Sequence, residues 1–115
     1  MKTLKISKDF SMYPGARYYT DGPYSGEKFY EECLKGAFYS ARQNKERLTV
    51  DLDGTAGYAS SFLSESFGLL AQEFGIKEVL DNIFIISNEE PDWKNAILTD
   101  YLPNSKYRKK TSSPV

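Results

Sequence analysis

The stretch LTVDLDGTAGYASSFLSESFGLL, residues 48–70, constrains the fold of this chain more than any other part of it. It opens with the alternating apolar residues of a strand, crosses a loop rich in Gly and Ser, and ends in the apolar stripe of an amphipathic helix. A strand that leads into a helix places their loop at the carboxyl end of the strand, where α/β proteins hold their binding surfaces. The sequence therefore predicts an α/β fold whose functional surface lies at residues 54–66.

Ahead of this stretch, the sequence predicts an N-terminal β-hairpin. Residues 3–8 alternate apolar and polar side chains, and residues 16–20 (ARYYT) resemble a second, aromatic-rich strand. Between them, Pro14 and Gly15 are the pair that a type II turn favours, since glycine accepts the positive φ that this turn requires. We expect the two strands to pair with each other.

The rest of the chain alternates helices and strands. Residues 82–88 (NIFIISN) form a nearly continuous apolar run, which is typical of a central strand buried on both faces. Because strand–helix–strand connections cross over with a right hand, we expect a mixed four-stranded sheet with a parallel centre, covered by about three helices. The predicted elements after the hairpin are a helix over residues 25–44, a strand over 47–53, a helix from Ser60 to Gly75, a strand over 82–88 and a helix from Pro91 to Pro103.

The composition narrows the class of function. The 115 residues suit one domain, predicted over residues 1–103, followed by a flexible basic tail over 104–115. A net charge of −1 makes a nucleic-acid partner unfavourable, and no apolar run suits a signal peptide or a membrane span. A single cysteine indicates the reducing cytoplasm. Without histidine, His-dependent catalytic triads and the usual zinc sites are excluded, so the sequence predicts no enzyme activity, metal or cofactor.

The block from VDLDG to SSFLSESFG resembles a known family. A strand, an Asp-Leu-Asp-Gly turn, the pair Ser60-Ser61 and a helix that begins Phe-Leu are similar to the STAS domain of anti-anti-sigma factors. Together with the SGEKF segment, the block is more closely similar to a bacterial STAS-like family of uncharacterised function. The resemblance implies a regulatory protein whose Ser60 matches the serine that a histidine-kinase-like ATPase phosphorylates in anti-anti-sigma factors. Ala59 and Phe62 stand where those factors carry an acidic residue and a glycine.

Two interpretations of Ser60 and Ser61 remain open. A serine at a helix N-cap stabilises the helix by about 1 kcal/mol relative to alanine, which is a sufficient structural role. Phosphorylation would instead add about two negative charges at the helix start and abolish docking of an acidic or apolar partner surface. The predicted phosphorylation or partner-binding residues are Asp53, Gly54, Tyr58, Ser60, Ser61 and Glu65.

A second candidate surface precedes the first long helix. Exposed tyrosine beside arginine is typical of protein-contact hot spots, and glycine at a helix start suits an anion. The same aromatic residues would equally serve to cover one face of the sheet. The predicted residues are Arg17, Tyr18, Tyr24, Ser25 and Gly26.

Two classes of function are carried forward. The first is a non-enzymatic regulatory protein–protein interaction module, anti-anti-sigma-like, controlled by serine phosphorylation from a histidine-kinase-like ATPase partner. The alternative is a domain that binds a small ligand, nucleotide or phosphate through the Gly-Ser loops. A homodimer is left open.

Asp51 and Asp53 share a strand face. We interpret both aspartates as residues that solvate the strand end and stabilise the turn after it, in preference to a metal-binding or acid–base pair.

Overall fold

A computed structural model describes residues 2–105 and contains a three-stranded sheet. Strands β1 (Lys2–Lys5), β2 (Leu48–Asp51) and β3 (Ile83–Ile86) lie in the order β1-β2-β3, and both pairs are parallel. The α/β class is confirmed. The expected mixed sheet of four strands is not found in residues 2–105, where the sheet has three strands and is parallel throughout.

Helices fill the connections between the strands, largely where the apolar stripes predicted them. A π-helical turn, Tyr30–Leu34, joins a four-residue helix, Gly26–Phe29, to the helix Lys35–Gln43, and a second π-helical turn, Ile97–Tyr101, extends the last helix. Residues 76–82 form a separate helix after Gly75, whose φ of +98° ends the preceding one as predicted. The helices are α1 (Ile6–Asp9), α2 (Gly26–Phe29), α3 (Lys35–Gln43), α4 (Ser60–Phe74), α5 (Ile76–Asn82) and α6 (Pro91–Ala96), with a 3₁₀ turn at Tyr19–Asp21.

The predicted N-terminal hairpin is wrong at its first strand. Only residues 2–5 are extended, and they pair in parallel with β2. The chain then turns into α1, where the Asp9 carboxylate accepts the Lys5 backbone N–H at 2.8 Å. The Phe10 N–H completes this turn by donating to the Ile6 carbonyl at 3.0 Å. Alternation over six residues did not reveal the true partner of β1, because strand pairing depends on contacts with distant segments.

The predicted second strand of the hairpin is also wrong. The Ala16 and Arg17 carbonyls accept hydrogen bonds from the Gly26 and Glu27 N–H groups, at 2.7 and 3.0 Å. These bonds attach the segment to the start of α2, and its one bridge, between Ala16 and Ser25, is isolated. Gly15 does not adopt the positive φ of a type II turn. The backbone groups of this segment therefore serve α2 instead of a sheet.

The strand order also corrects the position of β3. Leu4, Val50 and Ile85 form one row across the sheet, each at most 8% exposed, and pack into the core. On the opposite face Phe84 is 47% exposed, with the Lys94 ammonium 5.2 Å from its ring centre. β3 is therefore an edge strand with one open face, because each crossover adds its strand beyond the previous one and leaves β2 in the centre.

The described chain ends a few residues after the last helical turn. The Asn104 N–H donates to the Asp100 carbonyl at 2.9 Å, and Ser105 is buried. Most of the basic tail predicted over residues 104–115 lies outside the described residues. Within residues 2–105, no helix combines the length and apolar character that crossing a bilayer requires.

Candidate functional site

The carboxyl end of β2 leads into a turn built by its own carboxylates. Asp51 accepts the Asp53 backbone N–H at 2.9 Å through Oδ1, which is an Asx-type turn. Lys5, at the end of β1, lies between the two residues: its Nζ is 3.3 Å from Asp51 Oδ2 and 3.1 Å from the Asp53 carbonyl oxygen. Both aspartates thus take part in turn chemistry. Across residues 2–105, no group of three or more His, Cys, Asp or Glu is placed to hold a metal ion.

The same turn is attached to the segment that follows β3. Asp53 accepts hydrogen bonds from the Glu89 N–H at 3.0 Å and the Asn88 side-chain amide at 3.1 Å. In return, the Glu89 carboxylate accepts the Gly54 N–H at 2.9 Å. The bond from the Glu89 N–H lowers the pKa of Asp53 below its ordinary value, so this carboxyl group is charged at neutral pH. Residues from three strand ends therefore meet in one polar cluster.

Tyr58 holds the other end of the loop against the core. Its hydroxyl donates to the Leu52 carbonyl at 2.8 Å. Its ring packs edge-on against Trp93 at 4.8 Å between centres and contacts Phe62 at 5.8 Å. Burial raises the pKa of the Tyr58 phenol above its ordinary value. Of the predicted site residues, Tyr58 thus has a clear structural role in fixing the loop.

Neither serine at the start of α4 occupies the N-cap position that the capping interpretation requires. Ala59 occupies the N-cap position, with φ −76° and ψ 142°, and no side chain caps the helix. Ser60 and Ser61 are the first two helical residues; Ser60 is exposed and Ser61 half-buried. The N-cap role proposed for these serines is therefore wrong, because the helix begins one residue earlier than that role requires. The Ser60 hydroxyl is left at the surface.

Glu65 connects the two surfaces predicted from the sequence. Its Oε1 is 3.4 Å from Arg17 Nη1, so the arginine lies against the first turns of α4. Tyr18 and Tyr24 are 46% and 40% exposed, as a contact surface requires. The predicted residues of both sets thus lie on neighbouring parts of the molecule.

Ser25 and Gly26 lie within the packing between α2 and α4. The Ser25 hydroxyl accepts the Lys28 N–H at 3.0 Å and so caps α2, as its position in the sequence indicated. Both residues are buried, and a Cβ on Gly26 would collide with the Phe62 carbonyl oxygen. An anion-binding role for this pair stays a prediction, and the hydrogen bonds found here are those of helix capping.

Sequence reasoning missed Lys5, Asn88 and Glu89 at the site and Ser64 on α4. The signal for Asn88 and Glu89 was present, because polar residues directly after two parallel strands meet at one edge of the sheet. Lys5 was missed because the predicted hairpin did not pair the N-terminal strand with β2. Ser64 gave no signal, since a serine within a helical stripe is indistinguishable from an ordinary polar position.

The geometry defines a class of domain: a parallel α/β sheet whose central strand leads through a tightly bonded loop into a long helix that begins with exposed serine. The chain belongs to the family described as STAS-like domain of unknown function (DUF4325), whose model matches residues 25–93, more than half of the chain. This confirms the resemblance found in the sequence. Searches of curated proteins and of solved structures returned no significant match.

Proposed function

We propose that this protein is a non-enzymatic, cytoplasmic regulatory module that binds another protein through the start of α4 and the loop before it. We call this the docking surface: Asp53, Gly54, Tyr58, Ser60, Ser61 and Glu65. One observation carries the proposal. Ser60 is exposed in the first turn of α4 while Ala59 holds the N-cap, so the Ser60 hydroxyl is accessible to a kinase without loss of a cap.

The charges around Ser60 give phosphorylation a mechanism. A phosphoryl group on Ser60 would lie at the positive end of the α4 dipole, which stabilises a nearby negative charge by about 0.3–1 kcal/mol. Asp53 and Glu65 contribute negative charges to the docking surface, and Glu65 is paired with Arg17. The modification adds about two further charges of the same sign, which disfavour docking of an acidic or apolar partner surface while the fold is retained. Ser60 would act as a switch on partner binding.

The test uses a histidine-kinase-like ATPase, the class of partner that the resemblance implies. The two proteins are incubated with ATP, and the intact mass is measured together with the binding isotherm. We expect the mass of one added phosphoryl group, lost in Ser60→Ala and retained in the matched variant Ser40→Ala, whose half-buried serine lies on α3. An unchanged mass together with no detectable complex would refute the proposal.

A charge variant separates docking from modification. Ser60→Glu is expected to weaken the complex by about tenfold, which corresponds to about 1.4 kcal/mol, whereas Ser40→Glu leaves the affinity unchanged. A nucleotide-specific rise in the melting temperature of the isolated protein, without any protein complex, would favour the alternative class of a nucleotide-binding domain.

A further inference from the structure

A cavity lies along α4, one turn beyond the exposed Ser60. Its volume is about 270 Å³, and its walls come from α4 and from the segment around the start of α2. Ser64, Gly68, Leu69 and Gln72 form the α4 side, and Glu27 faces them across the cavity. Such a volume suits one small functional group on a short chain. We call this space the α4 cavity.

Ser64 is the feature of the α4 cavity that the fold does not explain. It is 3% exposed, and its Oγ has no hydrogen-bond partner within the part of the chain that the structure describes. Ser66, two residues further on the same helix, is fully buried and donates to the Phe62 carbonyl at 2.9 Å. Because a buried hydroxyl without a partner is unfavourable and Ser64 lines the cavity, we expect the Ser64 hydroxyl to rotate about χ1 and bond to a group that binds there.

The charge of the walls selects the kind of group. Glu27 and Glu65 both line the α4 cavity. Arg17 pairs with Glu65 at 3.4 Å, which leaves one negative charge in excess among these three residues. The Glu27 carboxylate accepts the Tyr19 N–H at 2.9 Å and keeps capacity for further donors, since a carboxylate accepts about four hydrogen bonds. An anionic ligand is therefore disfavoured, and a cationic donor is favoured.

We propose that the α4 cavity binds a guanidinium group carried on a short aliphatic chain. The planar guanidinium has several donors in a fixed arrangement, so it is able to reach the Ser64 hydroxyl and a carboxylate at the same time. Leu69 supplies an apolar wall for the aliphatic chain. A purely apolar ligand would leave Ser64 without a partner. The group has two sources, a free small molecule or an arginine side chain of another protein.

The test titrates the isolated full-length protein with propylguanidine and, in parallel, with propylurea, its uncharged analogue of the same shape. Amide chemical shifts are followed by ¹H–¹⁵N NMR. We expect saturable shifts at Ser64, Gly68 and Gln72 with propylguanidine and none with propylurea. Equal shifts with both compounds would overturn the proposal, because the charge would then have no role. No shift with either would overturn it as well and leave water as the occupant.

Variants locate the binding groups. Ser64→Ala and Glu27→Gln are each expected to weaken propylguanidine binding by about tenfold, as loss of a hydrogen bond to a charged group does. Ser66→Ala is the matched control, since its hydroxyl bonds within α4, and it is expected to leave the affinity unchanged. Equal affinity in Ser64→Ala and the parent protein would refute the role assigned to Ser64.

A peptide distinguishes the two sources. If an arginine side chain is the natural occupant, the capped tripeptide Ala-Arg-Ala should bind more tightly than propylguanidine; if a free molecule is, the order reverses. This titration needs neither a partner protein nor phosphorylation. Failure of the kinase experiment therefore leaves the α4 cavity proposal standing, and loss of guanidinium binding leaves the docking surface untouched.

Discussion

Gly54 lies where the chain leaves the polar turn, and its backbone determines the course of the loop. Its φ is +97°, a value that side chains with a Cβ adopt with strain. Space is also restricted, because a Cβ at this position would lie 2.8 Å from Ser7 Oγ. The Gly54 N–H bonds to the Glu89 carboxylate at 2.9 Å, so its conformation positions a donor of the polar cluster.

Gly54→Ala is expected to lower the free energy of unfolding by about 1–3 kcal/mol, since backbone strain adds to the contact with Ser7. Gly36→Ala is the matched control: Gly36 is in α3 with nothing within 4 Å of its added Cβ, and alanine there should raise the free energy of unfolding by about 0.5–1 kcal/mol. Urea unfolding followed by circular dichroism measures both. A Gly54→Ala variant as stable as the parent would mean that the loop does not require this backbone conformation.

At the scale of the element, α4 is the longest helix of the described chain, and no side chain caps its start. Ala59 has the extended backbone typical of an N-cap, with φ −76° and ψ 142°, but no side-chain oxygen to accept an orphan N–H. Anti-anti-sigma factors carry an acidic residue at the matching position. The first turn of α4 therefore lacks the stabilisation that a side-chain cap gives. Adding a cap should raise the free energy of unfolding by a measurable amount.

Ala59→Asp is expected to raise the free energy of unfolding by about 0.5–2 kcal/mol. The aspartate carboxylate at the N-cap accepts a hydrogen bond from a free backbone N–H of the first turn, and its negative charge interacts favourably with the positive end of the helix dipole. Ser60→Ala, one residue further, is expected to change it by less than about 0.5 kcal/mol, since this surface serine caps nothing. Thermal and urea unfolding compare the two variants. The opposite ranking, with a loss in Ser60→Ala and no gain in Ala59→Asp, would show that Ser60 is the N-cap in solution.

The elements also show what the sequence is able to predict. The helices α2, α3, α4 and α6 and the strands β2 and β3 were found because their apolar residues follow local patterns, and Gly75 and Pro91 marked real boundaries. Helix α1 was missed, because its residues were assigned to the predicted first strand. The partner of β1 was not found, because parallel pairing with β2 joins residues more than forty positions apart and leaves no local pattern. The same holds for the site. Asp53 and Ser60 were predicted because they lie in one continuous block of sequence, whereas Lys5 and Glu89 were missed because they come from the ends of the other two strands.

At the scale of the whole molecule, the buried Tyr30 and the half-buried Tyr58 connect separate parts of the fold. The Tyr30 hydroxyl donates to the Glu73 carboxylate and so joins the helical stretch after β1 to α4. The Tyr58 hydroxyl donates to the Leu52 carbonyl and so joins the loop before α4 to the end of β2. Both phenols have a pKa above the ordinary value, mainly because burial disfavours the charged form. The stability of the molecule is therefore coupled to pH on the alkaline side.

The sign of this coupling follows from the raised pKa. The unfolded chain releases these protons near the ordinary phenol value of 10.0, while the folded chain still retains them. The stabilisation from both tyrosines is thus complete below pH 10 and is lost as the pH rises through the folded-state values. We expect the free energy of unfolding to fall steadily above pH 10. Tyr30→Phe and Tyr58→Phe should each make this fall shallower, since phenylalanine has no proton to release.

Tyr39→Phe is the control for the alkaline experiment, because Tyr39 is 57% exposed. Comparing variants at each pH removes the contribution of lysine deprotonation, which all of them share. Urea unfolding at intervals across the alkaline range measures the slopes. If Tyr30→Phe and Tyr58→Phe follow the slope of Tyr39→Phe, the phenols titrate alike in the folded and unfolded chain. That result would contradict the burial to which the raised pKa of each phenol is attributed.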